Sequence, residues 1–275
     1  MNMNRRRVPM LALAAALLFS APIMAAELIV NLGHEKTLTT EELLARPDVR
    51  TIDVPGDVSY RRTMTYRAVP LRALLGGNGL PDGEDLQVVA RDGFVTTVPA
   101  ALVFNDGTQR AVPYLAIETP GKPWPKTPAG QAIGPFYLVW LDPAAAGVLS
   151  EQWPFQVASI RAVPARKDRW HQLSVGDDVP AASPIRRGGT LFATQCMVCH
   201  RMNGIGDASL GPDLNQPHNP TEYFQPWALR ALIRRPDTVR AWPDMKMHGF
   251  EPAVMSDADL DAIIDYLKYM SARRR

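Results

Sequence analysis

The chain has 275 residues, of which 46% are hydrophobic and 21% are charged, a composition that excludes a disordered or fibrous protein. This length suits one large domain or two ordinary ones. Three of the 30 basic residues lie together at Arg5, Arg6 and Arg7, and the charges of the other 27 nearly cancel those of the 28 acidic residues. This near-neutral balance excludes the strongly basic face of a nucleic-acid-binding protein.

Residues 1–25 have the pattern of a secretory signal peptide. The arginine cluster is followed by an apolar run over residues 8–19 and by small residues at Ala25 and Ala26. The run is shorter than the ~20 residues that a spanning helix needs, and no later segment approaches that length. We therefore expect export to the bacterial periplasm in the unfolded state and no membrane span after cleavage, with a retained N-terminal anchor as the alternative.

Residues 26–170 predict a mainly β α+β domain. Short β-branched or apolar runs alternate there with glycine and proline, as expected for strands separated by turns. Turns are predicted at residues 92–93 and 105–107, and short helices at residues 40–44 and 70–75. The predicted strands include residues 28–30, 86–90, 94–98, 136–140 and 159–163.

The polar, turn-rich residues 171–183 predict a linker, and the pattern after it is helical throughout residues 184–275. Helices are predicted over residues 185–199, 227–235 and 256–270. The last is the best defined, because its apolar residues recur at i, i+3, i+4 and i+7 after the N-cap Ser256 and the capping-box residue Asp259. Those apolar residues are Leu260, Ile263, Ile264 and Leu267.

The chain contains two cysteines, Cys196 and Cys199, in the sequence CMVCH, which ends at His200. A zinc site would need further Cys or His ligands at matching spacing, and there is no second CxxC. A thioredoxin-like pair would need a surrounding βαβ pattern, which the helical segment lacks. A structural disulfide would close a very short loop and gain little chain entropy.

Covalent haem attachment is the use of CxxC that requires a histidine directly after the second cysteine. The two thiols, Cys196 and Cys199, add across the haem vinyl groups, and His200 is then placed against the iron as an axial ligand. The motif therefore predicts one haem c.

Residues 184–271 resemble a class I cytochrome c, and the resemblance implies an all-α cytochrome c fold for the C-terminal domain. The segment GTLF at residues 189–192 is similar to the family's first helix, whose glycine permits close helix contact. The segment GPDL at residues 211–214 is similar to the loop beside the proximal histidine. The resemblance implies that the Pro212 carbonyl orients His200 and that Leu214 packs on the porphyrin.

The same resemblance implies a methionine as the sixth ligand, three residues before an aromatic and shortly before the last helix. Met247 satisfies this spacing with Phe250, although the residue after it is His248 where the family usually has proline. Met245, Met255, His248 and an open site remain alternatives. Met255 on its own pattern is also a plausible core residue.

The first domain resembles, in the order of its elements, the molybdopterin domain of the sulfite oxidase family. The segments that carry this resemblance are residues 69–75, 90–94, 113–116 and 134–139. That family binds its metal through a cysteine thiolate, and residues 26–170 contain no cysteine. We therefore expect a relative that keeps the fold without the cofactor and that docks a partner or shields and orients the haem domain.

Together these features predict a periplasmic electron-transfer protein. Its haem would accept single electrons from a periplasmic dehydrogenase and pass them to another cytochrome or an oxidase. No catalytic residue is assigned, so an enzymatic role stays open. The alternatives are an oxidoreductase whose first domain binds a molybdenum cofactor and oxidises a small substrate, and a haem sensor with an open sixth position that binds a gas.

Overall fold

A computed structural model of the chain describes residues 26–105, 111–243 and 245–274. The predicted signal peptide and part of the predicted turn at residues 105–107 lie outside these ranges. Within them, the helices all fall short of the length and hydropathy of a membrane-spanning segment.

The N-terminal region is built from short strands and single-turn helices. Its strands are β1 (Glu27–Asn31), β2 (Glu35–Thr39), β3 (Arg50–Val54), β4 (Met64–Pro70), β5 (Glu84–Ala90), β6 (Val95–Val98), β7 (Val112–Ile117), β8 (Phe136–Leu141) and β9 (Val157–Pro164). Its helices are α1 (Thr40–Leu44), α2 (Leu71–Leu74), α3 (Ala100–Val103) and α4 (Arg166–Arg169). The Thr39 hydroxyl caps α1 by accepting a hydrogen bond from the Glu42 N–H at 3.2 Å.

The strands form two sheets that share one hydrophobic core. The first has the order β2-β1-β9-β5-β6, and the second has the order β3-β4-β7-β8. All neighbouring pairs are antiparallel except β1 and β9, which are parallel. Leu28, Leu86 and Ile160 from the first sheet are buried in the same cluster as Tyr66 and Leu138 from the second.

The C-terminal region is helical, which confirms the predicted division into a β-rich region and a helical region. Its helices are α5 (Pro184–Gln195), α6 (Pro220–Tyr223), α7 (Pro226–Arg234) and α8 (Asp257–Ser271). The Ser256 hydroxyl caps α8 as predicted, accepting from the Asp259 N–H at 3.1 Å. Helix α6 was not predicted from the sequence; it is a single turn whose cap, Asn219, accepts from the Thr221 N–H at 3.0 Å.

Helix α5 ends at Gln195, whereas the sequence predicted that it would continue to Cys199. The N–H of Met197 bonds five residues back to Phe192, and the N–H groups of Cys199 and His200 both bond to the Cys196 carbonyl. These bonds close a separate turn, so the helix periodicity is not continued through the cysteine motif.

The crossing of α5 and α8 depends on Gly188. A Cβ atom built on Gly188 would lie 1.8 Å from the Ala262 carbonyl oxygen in the backbone of α8. The neighbouring Gly189, to which the resemblance had pointed, is less restricted, with its nearest contact 3.1 Å away on the Tyr266 ring. The close approach brings Phe192 and Tyr266 together at a ring separation of 5.2 Å.

The segment predicted as a linker packs on the helices. Leu173 of this segment, and Trp170 just before it, are buried with Phe192 and Leu260 in the core of the helical region, called here the second core. The Tyr266 hydroxyl donates to the Leu173 carbonyl at 2.7 Å. The Arg186 guanidinium donates to three backbone carbonyls of the segment, those of Val175, Gly176 and Val179. The second core therefore begins before α5.

Candidate functional site

The CMVCH turn lies at the end of α5, on the edge of the second core. Cys199 and His200 donate their N–H groups to the Cys196 carbonyl at 3.1 Å and 2.9 Å. Met197 and Val198 are buried, whereas Cys196, Cys199 and His200 are half-buried. The turn thus anchors its two apolar residues inside and keeps its three chemically active residues at the surface of the core.

Both cysteines are free thiols, and their environment disfavours the thiolate. Burial, with a smaller contribution from the Glu151 charge, raises the pKa of Cys199 to about 12 and moves the pKa of Cys196 upward as well. Redox-active CxxC pairs have lowered thiol pKa values, so these surroundings do not suit thiol–disulfide exchange. In the described ranges, no group of three or more His, Cys, Asp or Glu side chains is placed to hold a metal ion, which disfavours a zinc site.

His200 is oriented by the loop that follows the motif. Its Nδ1 lies 2.8 Å from the Pro212 carbonyl oxygen, which can only accept a hydrogen bond, so Nδ1 carries the proton. Burial lowers the pKa of His200, although the Pro212 contact opposes the effect, and the neutral ring is favoured. Within the described residues Nε2 has no hydrogen-bond partner, and its lone pair is available to a metal ion.

Gly211 allows the loop to approach the imidazole. A Cβ atom at this position would lie 2.4 Å from His200 Cε1 and 2.5 Å from Nδ1. The Gly211 N–H donates to the Cys199 carbonyl at 2.8 Å, which ties the loop directly to the cysteine motif. Glycine is therefore required here by close packing.

The Asp213 carboxylate holds the rest of this loop in shape. It accepts hydrogen bonds from four backbone N–H groups at distances of 2.6–3.2 Å, so it replaces a short stretch of regular structure. The donors are Asn203, Gly204, Asn215 and Gln216. Leu214 is half-buried and packs against the second core, beside which the CMVCH turn also lies.

Met247 and its alternatives differ in their surroundings. Met247 is half-buried and packs against the edge of the second core, as Cys196 and Leu214 do. Met255 is only 2% exposed and belongs to the interior of that core. Met245 is half-buried but does not contact the buried core cluster.

The residues after Met247 are fixed on two sides. The Phe250 N–H donates to the Ile233 carbonyl at 3.1 Å, and a Cβ at Gly249 would lie 2.1 Å from the Arg234 carbonyl oxygen, so the loop lies close against the end of α7. His248 points the other way, and its Nε2 lies 3.0 Å from the Glu151 carboxylate of the first domain. This contact raises the pKa of His248.

The first domain also contacts the cysteine motif. The Val95 N–H of β6 donates to the Val198 carbonyl at 3.1 Å, so the edge strand of the first sheet contacts the CMVCH turn through one backbone hydrogen bond. Nearby, the Asp207 carboxylate accepts from Gln87 at 2.7 Å and forms an ion pair with Arg169. The cysteine motif therefore lies against the first domain and is not exposed on all sides.

The sequence pointed to the cysteine motif, His200 and the Pro212 loop, and the structure places the Pro212 carbonyl against His200, but the sequence analysis missed Glu151 and the role of Asp213. An aspartate two residues after a glycine in a turn-rich loop is a weak signal for backbone capping. Glu151 lies between Ser150 and Gln152 in the first domain, more than 40 residues before the motif, and no local sequence pattern points to it.

These side chains fit a covalently bound haem. Two free thiols and an imidazole with an available Nε2 lie on one turn, and the half-buried Leu214 and Met247 border the same apolar core. His200 and the two thiols are the residues that would hold the group.

Comparison with known proteins agrees with this geometry. A search of curated proteins gave no match. Residues 185–271 match the family model described as cytochrome c. The C-terminal helical segment of this chain is therefore a cytochrome c domain, which implies covalently bound haem c and haem-based electron transfer.

Proposed function

We propose that this protein is an exported electron carrier of the periplasm with one haem c bound to Cys196 and Cys199. The iron supplies reversible one-electron chemistry when the haem is present. The partners would be a periplasmic dehydrogenase as the electron donor and another cytochrome or an oxidase as the acceptor. The chain itself contributes attachment, axial ligands and the surroundings that set the reduction potential.

The observation that carries the proposal is the state of His200. The Pro212 carbonyl accepts the Nδ1 proton at 2.8 Å, so the imidazole is fixed in the tautomer that exposes the Nε2 lone pair. A carbonyl in this position also increases the basicity of the ligating nitrogen. Because the same turn carries both free thiols, attachment and ligation are served by five consecutive residues.

Met247 is the proposed sixth ligand. It borders the apolar core with Cys196 and Leu214, whereas the candidate Met255 is buried inside that core and is not available. The candidate His248 bonds Glu151 through Nε2. A thioether ligand and a buried haem both raise the potential, which suits a carrier that delivers electrons to an oxidase.

The first domain is proposed to be a sulfite oxidase-like fold that carries no metal cofactor. Residues 26–170 have no cysteine to ligate molybdenum. The contacts of β6 and Glu151 with the cytochrome domain support a role in shielding and orienting the haem.

The proposal is tested by absorption spectra of the oxidised and reduced protein purified from the periplasm, with metal content measured on the same sample. We expect a sharp reduced α-band, the ferric band at the red edge of the visible spectrum that signals methionine ligation, and iron as the metal present. Stoichiometric molybdenum would support the oxidoreductase alternative. Rapid carbon monoxide binding to the untreated ferrous protein would support the sensor alternative.

The sixth ligand is assigned with a matched pair of variants, Met247→Ala and Met245→Ala. We expect the first to lose the red-edge ferric band and to bind carbon monoxide, and the second to retain the wild-type spectrum. Loss of the band in Met245→Ala alone would assign the ligand to Met245.

A further inference from the structure

The turn at residues Ser150–Gln152 of the first domain contacts both segments that flank the proposed haem. On one side, the Glu151 N–H donates to the Gln195 side-chain oxygen at 3.4 Å, directly before Cys196. On the other side, the Glu151 carboxylate lies 3.0 Å from Nε2 of His248, the residue directly after Met247. One residue of the first domain therefore touches the neighbours of a thioether cysteine and of the sixth ligand.

This turn is rigidly anchored in its own domain. The indole N–H of Trp140, which is fully buried, donates to the Gln152 carbonyl at 2.9 Å. The Gln152 side chain in turn accepts from the Leu149 N–H at 2.9 Å. The position of Glu151 is thus set by the core of the first domain and not by the cytochrome domain.

Glu151 is a costly residue at this place unless its carboxylate has partners. It is only 6% exposed, and an isolated buried carboxylate is strongly unfavourable. Besides His248, it accepts one hydrogen bond from the hydroxyl of Ser150 at 3.2 Å. The bond to His248 therefore supplies much of the compensation, and removing either partner disturbs the other.

His248 transmits this anchor to Met247. The Met247 loop is attached to α7 on its C-terminal side through the Phe250 N–H, which donates to the Ile233 carbonyl at 3.1 Å. Directly after Met247, the side chain of His248 bonds Glu151 of the first domain. Without that bond, the described contacts that hold Met247 would be its own packing against the core edge and the attachment of Gly249 and Phe250 to the end of α7.

We propose that Glu151 is a positioning residue for the sixth ligand: by binding His248 from the first domain, it keeps Met247 at the haem iron. The inference rests on the proposed function, because it assumes a haem with Met247 as a ligand. It assigns the first domain a defined effect on the haem beyond shielding.

The same loop offers a control contact. Arg61 of the first domain forms an ion pair with Glu251 at 2.9 Å, and the two side chains are 67% and 56% exposed. Exposed pairs of this kind contribute little. Glu251→Gln therefore removes an interdomain ion pair four residues from Met247 without touching the proposed anchor.

The test compares Glu151→Ala, Glu151→Gln and Glu251→Gln in the full-length, haem-loaded protein. The measurements are the red-edge ferric band and the affinity of the ferric haem for added imidazole, which competes with Met247. The His248 side chain is 58% exposed, but its partner Glu151 is buried, and a hydrogen bond to a buried carboxylate is worth more than an exposed ion pair. We therefore expect the imidazole affinity of Glu151→Ala to rise on the order of tenfold. Glu151→Gln keeps a neutral acceptor for His248 and should shift the affinity less, and Glu251→Gln should match wild type.

Equal imidazole affinity in wild type, Glu151→Ala and Glu251→Gln would overturn the inference. So would equal increases in Glu151→Ala and Glu251→Gln, because the effect would then be a general loosening of the domain contact. If Glu151→Ala does not accumulate, the same comparison is made with Glu151→Gln and His248→Ala. Imidazole affinities equal to wild type in both of these variants would overturn the inference. Failure of the proposed function looks different, since the wild-type protein would then lack the haem or the methionine band.

Discussion

Replacing Gly188 with alanine is expected to separate the two helices that frame the cytochrome domain. The added Cβ would lie 1.8 Å from the Ala262 carbonyl oxygen and 2.5 Å from its carbon, both in the backbone of α8. Backbone atoms cannot rotate away, so α5 and α8 must move apart by about 1.5 Å to reach normal contact distance. The packed rings of Phe192 and Tyr266 would lose part of their contact as a result.

The magnitude follows from two opposing effects. Overpacking of this severity costs about 3 kcal/mol, at the upper end of the usual range. Gly to Ala in a helix returns about 1 kcal/mol through helix propensity. The net loss for Gly188→Ala is therefore about 2 kcal/mol, which corresponds to a fall in melting temperature of roughly 10 °C for a domain of this size.

Gly189→Ala is the matched control. It gains the same helix propensity, but its Cβ would be tight only against the Tyr266 ring at 3.1 Å and 3.2 Å, where a shift of a few tenths of an ångström removes the conflict, and it would touch Val175 at an ordinary 3.5 Å. We expect this variant to be as stable as wild type or slightly more stable. Thermal and urea unfolding of the haem-loaded protein, followed by circular dichroism in the Soret region, reports on this domain. Stabilities of the two variants that agree within about 0.5 kcal/mol would refute the steric argument, because propensity differences between adjacent helix positions are smaller than that.

Three further changes test other parts of the structure. Asp57→Asn should destabilise the first domain by about 2 kcal/mol, because the fully buried carboxylate accepts hydrogen bonds from two backbone N–H groups and two tyrosine hydroxyls, and one amide oxygen cannot accept all four. Urea unfolding followed by tryptophan fluorescence measures this loss, and an unchanged midpoint would contradict it. Asn219→Asp should destabilise the cytochrome domain by about 2 kcal/mol, because the buried Nδ2 of Asn219 donates to the Leu267 carbonyl at 3.0 Å and a carboxylate would face that oxygen without a proton. Wild-type stability in unfolding followed by Soret dichroism would contradict this. Asp207→Asn should weaken the interdomain contact by about 1 kcal/mol, since it removes the ion pair with Arg169. Differential scanning calorimetry should then show two better separated unfolding transitions, and an unaltered profile would contradict coupling through this pair.

The local features of the fold were within reach of the sequence, because they depend on neighbouring residues. Helix α8 follows from its apolar spacing and the Ser256 cap, and the haem motif follows from five adjacent residues. The end of α5 at Gln195 was missed, since it is decided by backbone bonds that fold the CMVCH turn back on itself. Propensity alone carries no information on that turn.

The features that link distant residues were out of reach. The choice of Gly188 over Gly189 at the helix crossing depends on the rotation of α5 against α8, which one residue of register decides. Glu151 and His248 are 97 positions apart, and neither has a local pattern that would suggest the other. Trp170 reads as the end of a β domain in the sequence, but its indole is buried in the core of the helices.

Strand β9 also determines when the first sheet can be completed as the chain folds. Among the described strands it is the last in the sequence, but it lies at the centre of the first sheet, where it joins the β1–β2 hairpin to the β5–β6 hairpin. Until residues 157–164 take their place between them, these two hairpins have no strand to connect them, and pairing over such long separations is slow. The cysteine motif follows only some thirty residues later in the chain. The first sheet, whose edge strand β6 contacts the CMVCH turn, is therefore completed by the strand that lies nearest to the cysteines in the sequence.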